Sequence, residues 1–411
     1  MRRSILLASA LATTLALTAC GSGEPSGDAA ADEDASAKPS ASGSLTVWVD
    51  ETREAAVQTA AEAYETESGV DVEIVQKNFE DIRADFLAQV PTGEGPDITV
   101  GAHDWLGEFT KNGVVAPIEL GDRAGDFIPV SVEAFTQDGQ VYGLPYAIEN
   151  IALIRNTELA PEAPETYDDM IAAGKKAGTK FPFLIQSDGD KGDPYTYYPF
   201  QTSFGAPVFE QNEDGSYRPE LAVGGEGGEA FATWLGEQGE EGNLSTDISY
   251  DIAVEAFAKG QSPFVVGGPW MLEQFQDLDL AVDPVPAPGD QPAQPFVGVQ
   301  GFYVSAQSEN ALLANDFLVN SMSTPEAQTA LFEAGGRPPA LVEAADAASD
   351  DPLVAGFREV GASAVPMPSI PEMGSVWSFW GVTEASIISG KAKDPVKAWD
   401  KMVSDIEGAL G

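Results

Sequence analysis

The alternation that begins at Leu45 constrains this chain most. Leu45-Thr46-Val47-Trp48-Val49-Asp50 is an apolar run of strand type, and residues 55–64 carry apolar side chains at helical spacing. Gly69 ends that helix, and Val70-Asp71-Val72-Glu73-Ile74-Val75 alternates as a strand does. Residues 79–90 are again helical, and Ile98-Thr99-Val100 makes a third strand after the Gly95-Pro96-Asp97 turn. Strand, helix, strand, helix, strand predicts an α/β doubly wound sheet. Ligands of such sheets sit beyond the carboxyl ends of the strands. Two segments fall at that edge: residues 50–53, with Arg53, and residues 101–105, with the only histidine, His103, beside Asp104 and Trp105. At this level Asp104 serves equally well as a helix N-cap and Trp105 as helix packing.

Further along, Asp138-Gly139 is a hairpin turn between two short strands. Residues 147–156 form a strand-like run long enough to leave one domain and enter another. Residues 166–169 open a helix, 181–185 read as a strand, and 195–204 as an aromatic-rich helix start. Segments 231–235 and 252–259 are amphipathic. Residues 262–270 are a strand that breaks into Gly267-Gly268-Pro269-Trp270. Then come a strand over 296–304, a helix over 311–322, a break at Gly335-Gly336-Arg337-Pro338-Pro339, and a final helical region from Val376. There is no internal repeat. The body after residue 44 exceeds one typical domain, so two are expected.

The N-terminus is a separate matter. Arg2 and Arg3 precede an apolar run over residues 5–17 that is too short to span a membrane and has signal-peptide flanks. Leu17-Thr18-Ala19-Cys20 resembles the lipobox of bacterial lipoproteins. Cys20 is the only cysteine, so an intramolecular disulfide is impossible. Residues 21–44 are low-complexity Gly, Ser, Ala, Pro, Asp and Glu, and read as a flexible tether. The formal net charge of −45 argues against nucleic acid and against anionic substrates as partners.

The ordered set of motifs resembles one family. Leu45-Thr46-Val47-Trp48, Gly93-Glu94-Gly95-Pro96-Asp97-Ile98, Ala102-His103-Asp104, Pro145-Tyr146-Ala147-Ile148-Glu149, Asp193-Pro194-Tyr195, Gly267-Gly268-Pro269-Trp270, Pro295-Phe296-Val297-Gly298-Val299 and Ile370-Pro371-Glu372-Met373 run in order through the body. Together they are similar to the extracellular solute-binding proteins of bacterial ATP-driven (ABC) importers, in the maltose/maltodextrin-binding group. The resemblance implies a two-lobe periplasmic-binding-protein type II fold with a three-crossing hinge, near residues 147–151, 299–302 and 335–340. Lobe 1 would comprise 45–147 plus about 302–337, and lobe 2 would comprise 151–299 plus about 340–411. An oligosaccharide would lie between them and be buried by closure, with no catalysis and no cofactor or metal. The implied partners are the permease subunits of the importer. The implied state is a monomer tethered by lipid on Cys20 at the extracellular face of the cell membrane.

The resemblance also carries over site residues. Asp104 matches an acid that accepts sugar hydroxyls, Arg53 stands where the family has Lys, and Glu149 matches a hinge glutamate facing the cleft. Tyr195, Trp270 and Trp377 match the aromatic floor of the second lobe. Sugar rings have apolar faces and hydroxyl rims, which suits aromatic planes and polar groups respectively. The chain departs from the pattern at Gly101, where Trp is common, at Trp105, where Arg is common, at Arg83, which stands for an acid, and at Ser378, which stands for Tyr. Trp105 or Trp380 could restore a lost platform or could belong to the core. His103, with no Cys or His partner, is expected to order its loop.

Two other classes fit some of the residues. A secreted glycoside hydrolase also pairs carboxylates, separated by about 5 to 9.5 Å, as Asp104 and Glu149 could be. A binder of peptides, polyamines or metal ions would suit an acidic chain, but no carboxylates here have calcium-loop or zinc spacing. The lipobox makes its own prediction. Cys20→Ala should move the protein out of the membrane fraction without changing ligand binding; a variant that stays membrane-bound with its signal cleaved contradicts the lipid anchor.

Overall fold

The computed structural model describes residues 43–212 and 217–411. The signal segment, Cys20 and the tether up to residue 42 lie outside the described residues. The chain opens with strand β1 (Ser44–Val49), helix α1 (Glu51–Ser68), strand β2 (Asp71–Gln76), helix α2 (Phe79–Gln89) and strand β3 (Ile98–Ala102). β1 pairs in parallel with β2 on one side and β3 on the other. Asp50 ends β1 and starts α1, its carboxylate accepting the Thr52 N–H at 2.8 Å. That cap satisfies a donor the first helical turn leaves free.

Among the described residues these strands belong to a seven-stranded sheet. Its longest member, Phe296–Ser305, runs antiparallel to β3 and, on its other side, to Gly143–Asn150. A second, four-stranded sheet joins Leu280–Asp283, Ala152–Asn156, Phe264–Gly267 and Leu184–Ile185 in that order. The long run over 147–156 is thus shared between the sheets, with only Ile151 between its two strands. All of it except Ile148 is buried, as expected of chain covered on both faces. The strand expected over 181–185 is paired only at Leu184 and Ile185. Pro182, which has no N–H to give a ladder, accounts for the late start.

The three segments read as crossings lie side by side. Ala147 stands opposite Gln300 and also bridges to Pro339. Ile148 N–H donates to Pro338 O at 2.9 Å, and Ala340 N–H to Tyr146 O at 2.9 Å. Gly336 has φ +66° and sits so close to the Pro269 carbonyl that an added Cβ would come within 2.5 Å of it. Only glycine takes that backbone without cost, so the third segment rests on the turn that precedes Trp270.

Two helices carry most of the remaining site aromatics: Pro194–Ser203, with Tyr195, and Met373–Ile388, with Trp377 and Trp380. No helix among the described residues is long and apolar enough to cross a membrane.

His103 does what its sequence context suggests. It is 3% exposed; the Val299 N–H donates to its Nδ1 at 3.0 Å, so its Nε2–H donates to the Met367 carbonyl at 3.0 Å. Burial lowers its pKa to about 4, against the two backbone bonds. A histidine kept neutral in this way stabilises the fold above the ordinary value and loses that contribution as pH falls toward the folded one. Between about pH 6.5 and 4 the wild-type chain should therefore lose stability by up to roughly 1.4 kcal/mol per pH unit relative to His103→Gln. Urea titrations across that range measure the difference; parallel profiles would mean that His103 titrates alike in the folded and unfolded chain.

Candidate functional site

The carboxyl ends of β1 and β3 deliver residues 50–53 and 103–105 to one edge of the large sheet. Asp104 is 6% exposed. Its Oδ2 accepts the Trp377 indole N–H at 3.1 Å, while its Oδ1, also buried, has no partner. Desolvation pushes its carboxyl up to about 6; Arg83 and the Trp377 bond act the other way. Tyr195 comes from the start of the aromatic helix. Its ring lies 6.3 Å from Trp270 and its buried hydroxyl, too, has no partner. Gly298 leaves room for that hydroxyl and for Glu149: a Cβ there would stand 3.2 Å from one and 3.3 Å from the Glu149 side chain.

Glu149 is 5% exposed and both of its oxygens are taken. Oε1 accepts from Gln300 Nε2 at 2.8 Å, and Oε2 from Arg337 Nε at 2.8 Å. Arg337 Nη1 donates to Thr52 Oγ1 at 3.0 Å, and that hydroxyl donates to Asp50 Oδ1 at 2.7 Å. Asp50 Oδ2 pairs with Arg53 Nη1, and Arg53 Nη2 donates to Gln300 Oε1 at 3.1 Å. The bonds form a closed ring through Asp50, Thr52, Arg337, Glu149, Gln300 and Arg53. The ring takes one residue from each of the three adjacent segments and three from the start of α1: its cap Asp50, and Thr52 and Arg53 of its first turn. Arg337 also lies over the Trp270 ring at 5.5 Å.

The sequence-predicted residues are brought together, though not all at the same depth. Asp104, Glu149, Tyr195, Trp270 and Trp377 converge. Arg53 is nearly inaccessible, at 1% exposed, and is held by Asp50, Tyr146 and Gln300. Burial, and then the charge of Arg337, lower its pKa to about 10. Trp105 is buried between Phe79, at 5.2 Å, and Phe109, at 5.9 Å, with its ring against Gly101. A Cβ at Gly101 would come within 2.5 Å of that ring, so the bulk of Trp105 explains the glycine. Trp380 is fully buried: it stacks behind Trp377 at 5.4 Å and donates to Gln201 Oε1 at 2.9 Å. Trp380, expected as a candidate ligand platform, is instead a core residue that backs Trp377.

Arg337, Gln300, Thr52 and Phe79 escaped the sequence analysis. Arg337 was visible only as a cation inside a Gly and Pro break. Phe79, half-buried under the Arg53 guanidinium at 4.9 Å, was read as a helix-start apolar residue. No group of three or more His, Cys, Asp or Glu among the described residues is placed to hold a metal.

A family model described as bacterial extracellular solute-binding protein matches residues 59–356. The chain belongs to this family. This solute-binding protein is similar to a Thermus thermophilus maltotriose-binding protein solved with maltotriose: identity is 34%, the TM-score 0.82, and the match covers 89% of this chain and 100% of that one. Its fold is accordingly the two-lobe, type II periplasmic-binding fold. It is 27% identical to the galactooligosaccharide-binding protein of Bacillus subtilis, over 97% of this chain and 95% of that protein. It is 28% identical to the maltotriose-binding protein of Pyrococcus abyssi, over 83% and 74% respectively.

The ring predicts non-additive mutations. Arg337→Met leaves the buried Glu149 carboxylate without its cation and should cost about 3–5 kcal/mol of stability. Adding Glu149→Gln should recover a large part of that loss. Chemical denaturation of the wild type, both single variants and the double variant tests this; strict additivity would mean that the two charges do not depend on each other.

Proposed function

We propose that this solute-binding protein takes an oligosaccharide of the maltodextrin type and delivers it to an ABC importer. One observation carries the reading: Asp104 Oδ1 and the Tyr195 hydroxyl are buried, partnerless and close enough to influence each other, among the rings of Trp270 and Trp377. An unmet buried polar group is costly. Sugar hydroxyls would satisfy both groups, and sugar faces would lie on the indoles. Glu149, with both oxygens engaged, orders the hinge and is poorly suited to act as a catalytic acid, which favours binding over hydrolysis.

The two sheets are then the cores of two lobes, divided near the limits expected from the sequence: 45–147 plus about 302–337, and 151–299 plus about 340–411. Ligand favours the closed arrangement by its greater affinity for it. Trp377 reaching Asp104 is such a closed contact. Lipid on Cys20 would hold the protein, as a monomer, at the outer face of the membrane within reach of its permease. The Bacillus relative, matched over nearly its whole length, favours a second reading in which the sugar is a galacto-oligosaccharide.

Calorimetric titration with maltotriose, beside a galacto-oligosaccharide, separates the two readings, and no heat with either sugar rejects both. Trp270→Ala should weaken binding of the accepted sugar by about 1–3 kcal/mol, a size borrowed from ring stacking on bases, with the fold intact. Affinity should also strengthen as pH rises through about 6, where Asp104 ionises and becomes an acceptor only. Asp104→Asn should abolish that dependence.

A further inference from the structure

The sugar site leaves one buried acid unexplained. Glu384 lies on the helix Met373–Ile388, one turn beyond Trp380, and is 1% exposed. Neither of its carboxyl oxygens has a hydrogen-bond partner. The Tyr197 hydroxyl, which faces it from the aromatic helix, is also buried and unmet.

The groups facing Glu384 do not include a cation that would hold it as an anion. From the aromatic helix come Asp193, which caps that helix by accepting the Thr196 N–H at 3.2 Å, and Tyr197, with Tyr167 behind it. Its own helix offers the Trp380 N–H, which is given to Gln201 and lies near enough to the carboxyl to oppose the effect of burial, but does not outweigh it. The helix Gly225–Glu241 presents glycines: Gly236 lies against Ile387 and against Pro395 of the last helix, and Gly239 against Ile388. Glu108 stands at the far end, against Gly374. A carboxylate buried among neutral groups and a second acid takes up a proton more readily than it stays charged. As a neutral acid it gains an O–H donor and keeps an acceptor, which suits a neighbouring hydroxyl that is itself unmet.

We propose that Glu384 is a neutral carboxylic acid in the folded protein and acts as a positioning residue, its carboxyl one helical turn from Trp380 keeping that indole stacked behind Trp377. The effect on ligand rests on the sugar reading above; the protonation state does not. Burial, with Asp193 adding to it, raises the carboxyl well above its ordinary range. The sign follows from linkage. An acid that binds its proton more tightly when folded makes the fold less stable as pH rises from the unfolded value toward the folded one. Relative to Glu384→Gln, which is neutral at every pH and nearly isosteric, the unfolding equilibrium constant of the wild type should rise by up to about tenfold per pH unit over that interval.

Urea unfolding of the full chain and of Glu384→Gln from about pH 5 to 8 is the first test. A wild-type stability that falls against the variant as pH rises supports the neutral acid; a pH-independent difference overturns it. The second test compares Glu384→Gln with Glu384→Leu. Gln keeps a donor and should preserve both the near-ultraviolet circular dichroism of the stacked indoles and the affinity for maltotriose. Leu should alter the indole signal and weaken maltotriose by about fivefold or more, the value of roughly one lost hydrogen bond. A Leu variant with wild-type spectrum and affinity overturns the positioning role. If the wild type binds no sugar at all, the function proposed above fails, while the unfolding profiles and the indole spectra still decide the two claims about Glu384. Should the Leu variant not fold, the wild type and Glu384→Gln decide by their indole spectra: both unchanged from pH 5 to 8 while their stabilities also stay parallel would overturn the proposal.

Discussion

A buried carboxylate must be given partners, and the partners of Glu149 organise this molecule. Its two oxygens are held by Gln300 and Arg337, residues far from it and from each other in sequence. Each of the three stands on a different one of the adjacent segments that link the sheets. Removing two charges from water is expensive, and the expense is offset only when the geometry is good and the remaining polar atoms are met. The ring does this by running on through Thr52, Asp50 and Arg53, so that two anions and two cations share one hydrogen-bonded circuit. The first turn of α1 and the three segments are thereby fixed relative to one another.

The polar groups around this centre divide into two kinds. Those of the ring are met by protein. Asp104 Oδ1 and the Tyr195 hydroxyl are not, although both are buried. Fully met groups specify a single arrangement, whereas a buried group left unmet is costly. The aromatic residues divide similarly. Trp270 and Trp377 keep partly accessible rings, while Trp105 and Trp380 are buried, one filling the space over Gly101 and the other stacked on Trp377.

Much of this was legible in the chain. The βαβαβ opening follows from the apolar periods of residues 45–100, and the edge position of Arg53 and Asp104 follows from that topology. The helix starts at Thr166 and Asp193 follow from side chains that cap the next turn. The role of His103 followed from its isolation. Less was legible of depth. Trp105 and Trp380 have the same composition and local pattern as a cleft aromatic, since a helix shows which residues share a face but not what stands opposite. Nothing near Arg337 in sequence signals its partner, which lies 188 positions away.

The sequence by itself determined the order of strands and helices, the turns that end them and the edge of the sheet at which polar residues collect. These depend on hydrophobic period, capping and glycine or proline geometry, which act over a few residues. Only the tertiary structure decided which of those residues face the cleft and which are spent holding it together. That choice depends on burial and on partners brought in from distant segments. Whether a carboxylate is met by a guanidinium, by an indole or by nothing at all separates Glu149, Asp104 and Glu384, and no local pattern in the chain distinguishes them.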